Sequence, residues 1–229
     1  MKRSYTSARK GINSFYTYTC TNSSHAYLNG LVKRGMDIAG AVIGLLLGMP
    51  VFLVAMLLVK VIDNVPVIFF QERFGYGGRS FRFYKLRSLK VIDDRHALQI
   101  DRIQYKPQYE TTRTGKFWRV TSIDEIIQFW LVLKGEMSLI GHRPLPMYYL
   151  EHLDKIDGMD KAKLNHYLKT ISQFKPGMSS LSAVNGRGDL TMQQKMEFDM
   201  LYAQKADFLF DIILLLQTIG VVITRKGAK

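Results

Sequence analysis

"IAGAVIGLLLGMPVFLVAMLLV", residues 38–59, contains no charged side chain. As an α-helix it extends about 33 Å, enough to cross the hydrocarbon core of a bilayer. A signal peptide is not expected. The segment starts too far in, it is longer than a typical leader's apolar run, and no small-residue cleavage site follows. The bland alternative is a buried core helix, which this length and purity disfavour. The flanks add a constraint. Residues 1–34 carry Lys2, Arg3, Arg9, Lys10, Lys33 and Arg34 and no acid, and the other side carries Lys60, Arg73, Arg79, Arg82, Lys85, Arg87 and Lys90. Lys and Arg favour the cytoplasmic face, so both ends belong there. A straight span cannot satisfy that, but a hairpin can. Pro50, with Gly48 close by, removes a backbone donor and crowds the preceding turn, which places a bend near the middle. Two arms of about 12 residues reach about 18 Å each, roughly half a bilayer. Residues 31–62 therefore read as a re-entrant helix-break-helix bent near Pro50. An ordinary kinked transmembrane helix is the alternative, since proline is tolerated in those.

The chain around this segment has 229 residues, 47% of them hydrophobic and 12% aromatic, which is not the composition of a disordered chain. The excess of 32 Lys+Arg over 19 Asp+Glu, a net charge of +13, points to an anionic partner. Nucleic acid, acidic lipid headgroups and a phosphorylated substrate all fit that charge. Cys20 is alone, so no internal disulfide forms, and the five histidines are scattered without a Cys/His metal cluster. Residues 1–30 are polar and read as loosely ordered. Residues 63–229 read as a cytoplasmic domain. Within it, "VIFFQERFG" and "RSFRFYKLRS" are strands joined by "YGG". Residues 90–115 read as a loop or insertion, 147–172 as an amphipathic helix, 175–190 as a long loop and 191–216 as helix again. Residues 208–226, "FLFDIILLLQTIGVVITRK", are apolar but interrupted by Asp211 and Gln217. They read as a helix lying at the membrane interface, with Arg225 and Lys226 reaching for headgroups, or as a core helix of the domain. The expected fold is mainly α with a small β-hairpin. It joins a re-entrant membrane helix-break-helix to a cytoplasmic α/β domain with interfacial amphipathic helices.

Chemistry concentrates at "TSIDEIIQFWLVLKGEMSLIGHRPLP", residues 121–146. Ser122-Ile123-Asp124-Glu125 has the S-x-x-E spacing of a capping box on a helix running to Lys134, which would make both acids ordinary helix-start residues. The functional reading uses the same geometry. A carboxylate among the unpaired N–H groups of a helix start is held ionised and is available as a nucleophile. Neighbouring helical side chains point about 100° apart, so Asp124 and Glu125 divide the work, one attacking and the other holding a cation such as Mg²⁺. A carboxylate that attacks phosphate needs positive charge around it. Lys85 and Arg87 in "FYKLRS", Arg143 in "GHRP" and Arg187 in "NGRGD" supply it, against the bland reading of solvated surface cations. Asp199, set among Phe198, Met200 and Leu201, is either a solvated helix-face acid or a buried partner for one of those cations or the metal.

Five segments in order resemble the bacterial sugar transferase family, small monotopic polyprenol-phosphate phosphoglycosyl transferases. They are "KRGMDIAGAVIGLLLGMP", "FFQERFGYGGRSFRFYKLRSL", "RVTSIDEIIQFWLVLKGEMSLIGHRPLP", "KPGMSSLSAVNGRGDL" and "FDMLYAQKADFLFDIILLLQT". The resemblance covers residues 31–224. It implies an enzyme on the cytoplasmic face of the bacterial inner membrane, with a re-entrant helix broken at a proline. It further implies transfer of a sugar 1-phosphate from a UDP-sugar to undecaprenyl phosphate with release of UMP, the first membrane step of polysaccharide or glycoconjugate assembly. By that likeness Asp124 forms a phosphosugar intermediate, Glu125 binds Mg²⁺, and Lys85, Arg143 and Asp199 fall on site positions. Arg87 and Arg187 fall within shared motifs. The chain departs from the family at Ile127, where a proline is usual, at Leu131, where asparagine is usual, and at His142, which replaces the first proline of "GPRP". Ser180 and Ala183 also depart from the family's loop. Other readings are a catalytically inactive membrane scaffold and, less favoured, a membrane-anchored nucleic-acid-binding protein. Self-association is left open.

Overall fold

The computed structural model describes residues 19–91, 109–150 and 161–224. The described residues are mostly helical, with three two-stranded sheets. Residues 1–18, the first part of the stretch expected to be loosely ordered, lie outside them. From Thr21 the chain is regular instead: α1, Asn22–Leu28, is capped by the Thr21 hydroxyl on the Ser24 N–H, and Leu28 joins the main core. Such a cap stabilises a short helix by about 1 kcal/mol.

α2 is Leu31–Leu58, continued by a π-helical turn at Val59–Asp63. Pro50 lies inside it, and the helix runs through without interruption. A proline removes one main-chain hydrogen bond while the residues around it keep theirs. The expected break into two arms is therefore not present as a gap in the helix.

One side of α2 is docked along its whole length. Lys33, Asp37, Ala41, Phe52, Ala55 and Val59 are buried. Gly40, Gly44 and Gly48 fall on the same side, where an added Cβ would come within 2.5, 2.5 and 2.9 Å of Leu139, Phe129 and Ile126. Steps of three, four and seven residues keep all of these on one helical face. The opposite face is apolar and uncovered: Leu46, Leu47, Leu53, Val54 and Leu57 are each between 57% and 75% exposed. A helix of a soluble core would bury that face; here nothing among the described residues covers it.

β1 (Ile68–Phe74) and β2 (Ser80–Leu86) form the expected antiparallel hairpin, with Phe69 opposite Lys85 and Arg73 opposite Phe81. Its turn uses Gly77 and Gly78 at φ 67° and 74°. β3 (Leu89–Val91) pairs antiparallel with β4 (Tyr109–Thr111), in a stretch expected to be irregular. Residues 92–108 of that stretch lie outside the described residues.

The helix expected from Ser122 to Lys134 is three elements. α3 is Gly115–Thr121, a single 3-10 turn covers Ile123–Glu125, and α4 is Gln128–Lys134. Ser122 is left-handed at φ 58° and makes no capping bond, so the capping box does not form. Tertiary packing overrides the local signal. Trp118, Ile123, Ile126 and Ile127 must all reach the cluster of Phe52, Ala55 and Leu86, and one straight helix cannot present them together.

β5 (Ser138–Ile140) runs parallel to β6 (Gly177–Ser179), inside what was expected to be a loop. Just beyond, Gly141 passes so close to Lys175–Gly177 that its Cβ would lie 2.4 Å from the Lys175 carbonyl oxygen. Backbone cannot retreat as a side-chain tip can, so Gly141→Ala is expected to cost at least about 2 kcal/mol. Thermal unfolding of the detergent-solubilised protein checks this, and an unchanged Tm refutes it.

α5 (Met147–Leu150), α6 (Lys161–Ile171), α7 (Leu181–Val184), α8 (Met192–Lys205) and α9 (Phe208–Thr224) complete the fold. The single helix expected from 191 onward is divided at Ala206, whose ψ of 123° is extended. In α9 the polar residue points inward: Asp211 is fully buried, whereas Leu209, Ile213, Leu216, Ile219 and Ile223 are exposed. Arg225 and Lys226, expected to reach for headgroups, lie outside the described residues.

Candidate active site

A cavity of about 420 Å³ opens between the β1–β2 hairpin, the 3-10 turn, and the loops carrying Arg143 and Arg187. Strand alternation fills one wall. Phe69, Gln71 and Arg73 share a face of β1, and Lys85, with Arg87 two residues on, lies on the same side of the hairpin. Six sequence-predicted residues therefore meet at one cavity: Lys85, Arg87, Asp124, Glu125, Arg143 and Arg187.

Asp124 is buried and Glu125 half-buried. The Lys85 ammonium donates to Glu125 Oε1 at 2.5 Å and lies 3.9 Å from Asp124 Oδ2. The two carboxyls are driven apart electrostatically. Burial pushes Asp124 up to about 6, against the pull of Lys85 and with help from the Glu125 charge. Burial would also raise Glu125, but Lys85, then Arg187 and Arg143, carry it below the ordinary carboxylate value. Helix-start N–H groups thus do not dominate Asp124 as expected; desolvation does.

Arg87 donates from Nε to the Pro66 carbonyl at 2.6 Å. Arg187 donates to the Ser122 hydroxyl at 3.4 Å. Both residues of that pair are left-handed without being glycine, at φ 47° and 58°. Such conformations cost of order 1 kcal/mol or more each and are held by surrounding structure. Asp199 does not line the cavity, nor is it a solvated acid. It is buried behind the Arg143 loop, accepting from the Arg143 N–H at 3.3 Å and the Tyr167 hydroxyl at 2.8 Å. Burial pushes its carboxyl up to about 7 against those two bonds.

Three further cations line the cavity and were missed from sequence: Arg73, Arg119 and Lys195. Arg73 lies 4.0 Å over the Phe83 ring and donates to the Pro144 carbonyl at 2.9 Å and to Gln71. Burial, and then Arg143, lower it to about 10. Its signal was available in the period of two along "FFQERFG", once that strand is paired with Lys85. Arg119 and Lys195 carry no comparable local signal. In total, seven Lys and Arg residues face two carboxylates here, so the cavity is built for anions. Among the described residues no third His, Cys, Asp or Glu joins the two acids. Two adjacent carboxylates are oxygen ligands of the kind Mg²⁺ takes, so Glu125 and Asp124 would be the residues to hold it here.

The bacterial sugar transferase family profile matches residues 28–225. Galactosyl transferase CpsE of Streptococcus agalactiae serotype III (strain NEM316) is 36% identical over 96% of this chain and 49% of its own length. The UDP-N-acetylgalactosamine-undecaprenyl-phosphate N-acetylgalactosaminephosphotransferase of Aeromonas hydrophila is 34% identical over 86% of this chain and 45% of its own. Exopolysaccharide production protein ExoY of Rhizobium meliloti (strain 1021) is 29% identical over 88% of this chain and 89% of its own. The chain spans about half the length of the first two relatives and most of the third. With the family profile matched across residues 28–225, the chain belongs to the bacterial sugar transferase family.

Proposed function

We propose that this chain is a membrane-bound phosphoglycosyl transferase. It moves a sugar 1-phosphate from a UDP-sugar to polyprenol phosphate, releasing UMP, as the first membrane step of polysaccharide or glycoconjugate assembly. The observation that carries this is the Asp124–Glu125 pair in a cavity whose other charges are seven cations. The relatives' names supply the donor and acceptor classes.

In the first displacement an Asp124 oxygen attacks the sugar-bearing phosphorus. A phosphorus–oxygen bond forms as the bond to the nucleotide phosphate breaks, and UMP leaves with that electron pair. In the second, a polyprenol-phosphate oxygen attacks the same phosphorus, and the Asp124 carboxylate departs unchanged. One difficult transfer becomes two easier ones at one site. With a pKa of about 6, Asp124 is mostly ionised at pH 7 yet more basic, and so more nucleophilic, than a solvent-exposed carboxylate. Lys85 neutralises the phosphate as it approaches. Glu125, with Asp124 beside it, would hold Mg²⁺, which offsets the charge of the phosphate oxygens.

A site at the membrane rim fits a lipid acceptor. Both ends of α2 are tied to the same body: Lys33 donates to the Ile140 carbonyl near one end, and Asp63 accepts from the Thr114 N–H at the other. A helix docked over its full length cannot cross a bilayer without taking the charged cavity in with it. This supports entry and exit on one face, the cytoplasmic face of the inner membrane, with the uncovered side of α2 and of α9 against lipid.

Purified membranes supplied with a UDP-sugar, undecaprenyl phosphate and Mg²⁺ should release UMP; no release across a panel of UDP-sugars refutes the proposal. The acid limb of the pH profile should lie at or below about 6, because a protonated Asp124 cannot attack and a cation held at Glu125 lowers the carboxyl further. Initial UMP release at subsaturating UDP-sugar isolates this, since a diphosphate diester does not titrate there. In Lys85→Met the limb should move to higher pH, because the cation that holds Asp124 down is gone. A limb that stays fixed separates it from Asp124.

A further inference from the structure

Most cations of the cavity are already committed. The Lys85 head is on Glu125, Arg87 on Pro66, Arg73 on Pro144 and Gln71, and Arg187 on Ser122. Two heads differ. Neither the Arg143 guanidinium nor the Lys195 ammonium makes a hydrogen bond or ion pair among the described residues, yet both line the cavity. Burial, and then the charge of Arg143, lower the Lys195 pKa, so the two cations sense each other across the cavity wall. α8 sets this arrangement. Lys195 and Asp199 are one turn apart on one face of it, and Asp199 holds the Arg143 backbone by accepting its N–H. The bland reading is a solvated helix-face lysine. It leaves unexplained why the lysine is turned into the wall of a cavity beside a second unpaired cation.

We propose that Lys195 and Arg143 form a subsite for the phosphate that leaves with the nucleoside, separate from the position at Asp124 and Lys85 where the sugar-bearing phosphate reacts. This rests on the transfer proposed above. A nucleoside diphosphate sugar carries two phosphates, so the site needs a second cationic position. The placement of the walls assigns it. The 3-10 turn carrying Asp124 packs on the membrane helix α2, with Ile126 against Gly48, so a lipid-borne phosphate arrives on that side. Lys195, near the start of α8, lines another wall of the cavity with the Arg143 loop, and the leaving phosphate is assigned to that wall. Lysine as a mobile point charge can hold a phosphate and then release it.

The test is Lys195→Gln in the full chain, a half-buried position whose substitution leaves no buried charge unpaired. UMP is titrated directly by calorimetry, and Michaelis constants are measured for UDP-sugar and undecaprenyl phosphate. Expected are about tenfold weaker UMP binding, a similar rise in the UDP-sugar KM, an undecaprenyl phosphate KM within about twofold of the parent, and recovery in Lys195→Arg. Unchanged UMP binding in a preparation that still turns over UDP-sugar overturns this inference alone. A lipid KM that rises as much as the UDP-sugar KM also overturns it, because the lysine then serves both phosphates. A parent protein with no turnover of any UDP-sugar overturns the transfer reading as well.

Discussion

Asp124→Asn is expected to reduce UMP release by at least about 10³-fold without lowering stability. Asparagine keeps the size and hydrogen-bonding shape of the side chain but has no ionised oxygen to attack phosphorus. The stability expectation follows from the shifted carboxyl. Its pKa rises from 3.8 to about 6 on folding, chiefly because burial penalises the charge. A group whose folded pKa lies above its unfolded value destabilises the fold once pH exceeds both. At pH 7 the cost is of order 3 kcal/mol, and it fades as pH falls from 6 towards 4. Removing the charge should therefore raise Tm at pH 7, with the advantage disappearing near pH 4. Inactive protein that is more stable at neutral pH identifies a functional carboxylate held at a cost. Incubation with donor labelled in the sugar phosphate adds a direct readout: the parent should retain label without acceptor, and the variant should not. Turnover within tenfold of the parent would remove Asp124 from the nucleophile's role.

Local chemistry made part of this site legible. The hairpin was readable because its alternating aromatics and glycine turn are short-range signals. The acid pair and the cations of "FYKLRS", "GHRP" and "NGRGD" stood out as charge beside turn residues. What failed was long-range or overrode a local preference. Ser122 has an ideal capping pattern, yet it ends α3 in a left-handed conformation, because Trp118 before it and Ile123, Ile126 and Ile127 after it must reach Leu86 and Phe52. Asp199 read as either a solvated helix-face acid or a buried partner of a site cation or metal; it is buried one layer behind the cavity, accepting from the Arg143 N–H. Its partner Tyr167 sits 32 residues away and cannot be inferred from spacing. Lys195 is unremarkable in "TMQQKMEFD" until α8 is packed against the Arg143 loop. The re-entrant reading put the bend at Pro50, where the chain stays helical. The stronger sign that α2 turns one face to protein lies in Gly40, Gly44 and Gly48, whose spacing of four was on view beside it.

The largest stability effect is expected at the base of that helix. Lys33 read from sequence as a flanking charge, and Asp211 as an interruption in an interfacial helix. In the fold they meet: Lys33 Nζ lies 2.6 Å from Asp211 Oδ2, and neither is more than 4% exposed. The Tyr27 and Tyr202 hydroxyls donate to the same carboxylate at 2.8 Å, so α1, α2, α8 and α9 are tied at one point. Asp211→Ala strands the buried ammonium with only the Ile140 carbonyl and Asp37, 3.6 Å away. The expected loss is about 3 kcal/mol, a Tm fall of roughly 6–12 °C for a domain of this size. A fall under about 2 °C would mean that Asp37 already carries the lysine. Lys33→Met combined with Asp211→Leu should recover only part of the stability: an apolar pair can match a buried ion pair, but Asp37 loses its cation and the Tyr27 hydroxyl its acceptor. Activity should not recover with it. Where lipid is the solvent, an apolar contact is no better than lipid itself and does not fix how α2 sits against α9. The ion pair and its two tyrosines fix that register, and through β5 and the loop after it they fix Arg143. A double variant with a Tm above that of Asp211→Ala and a UDP-sugar KM raised about tenfold separates holding the helix from aiming it; a parental KM would leave the ion pair with no role beyond packing.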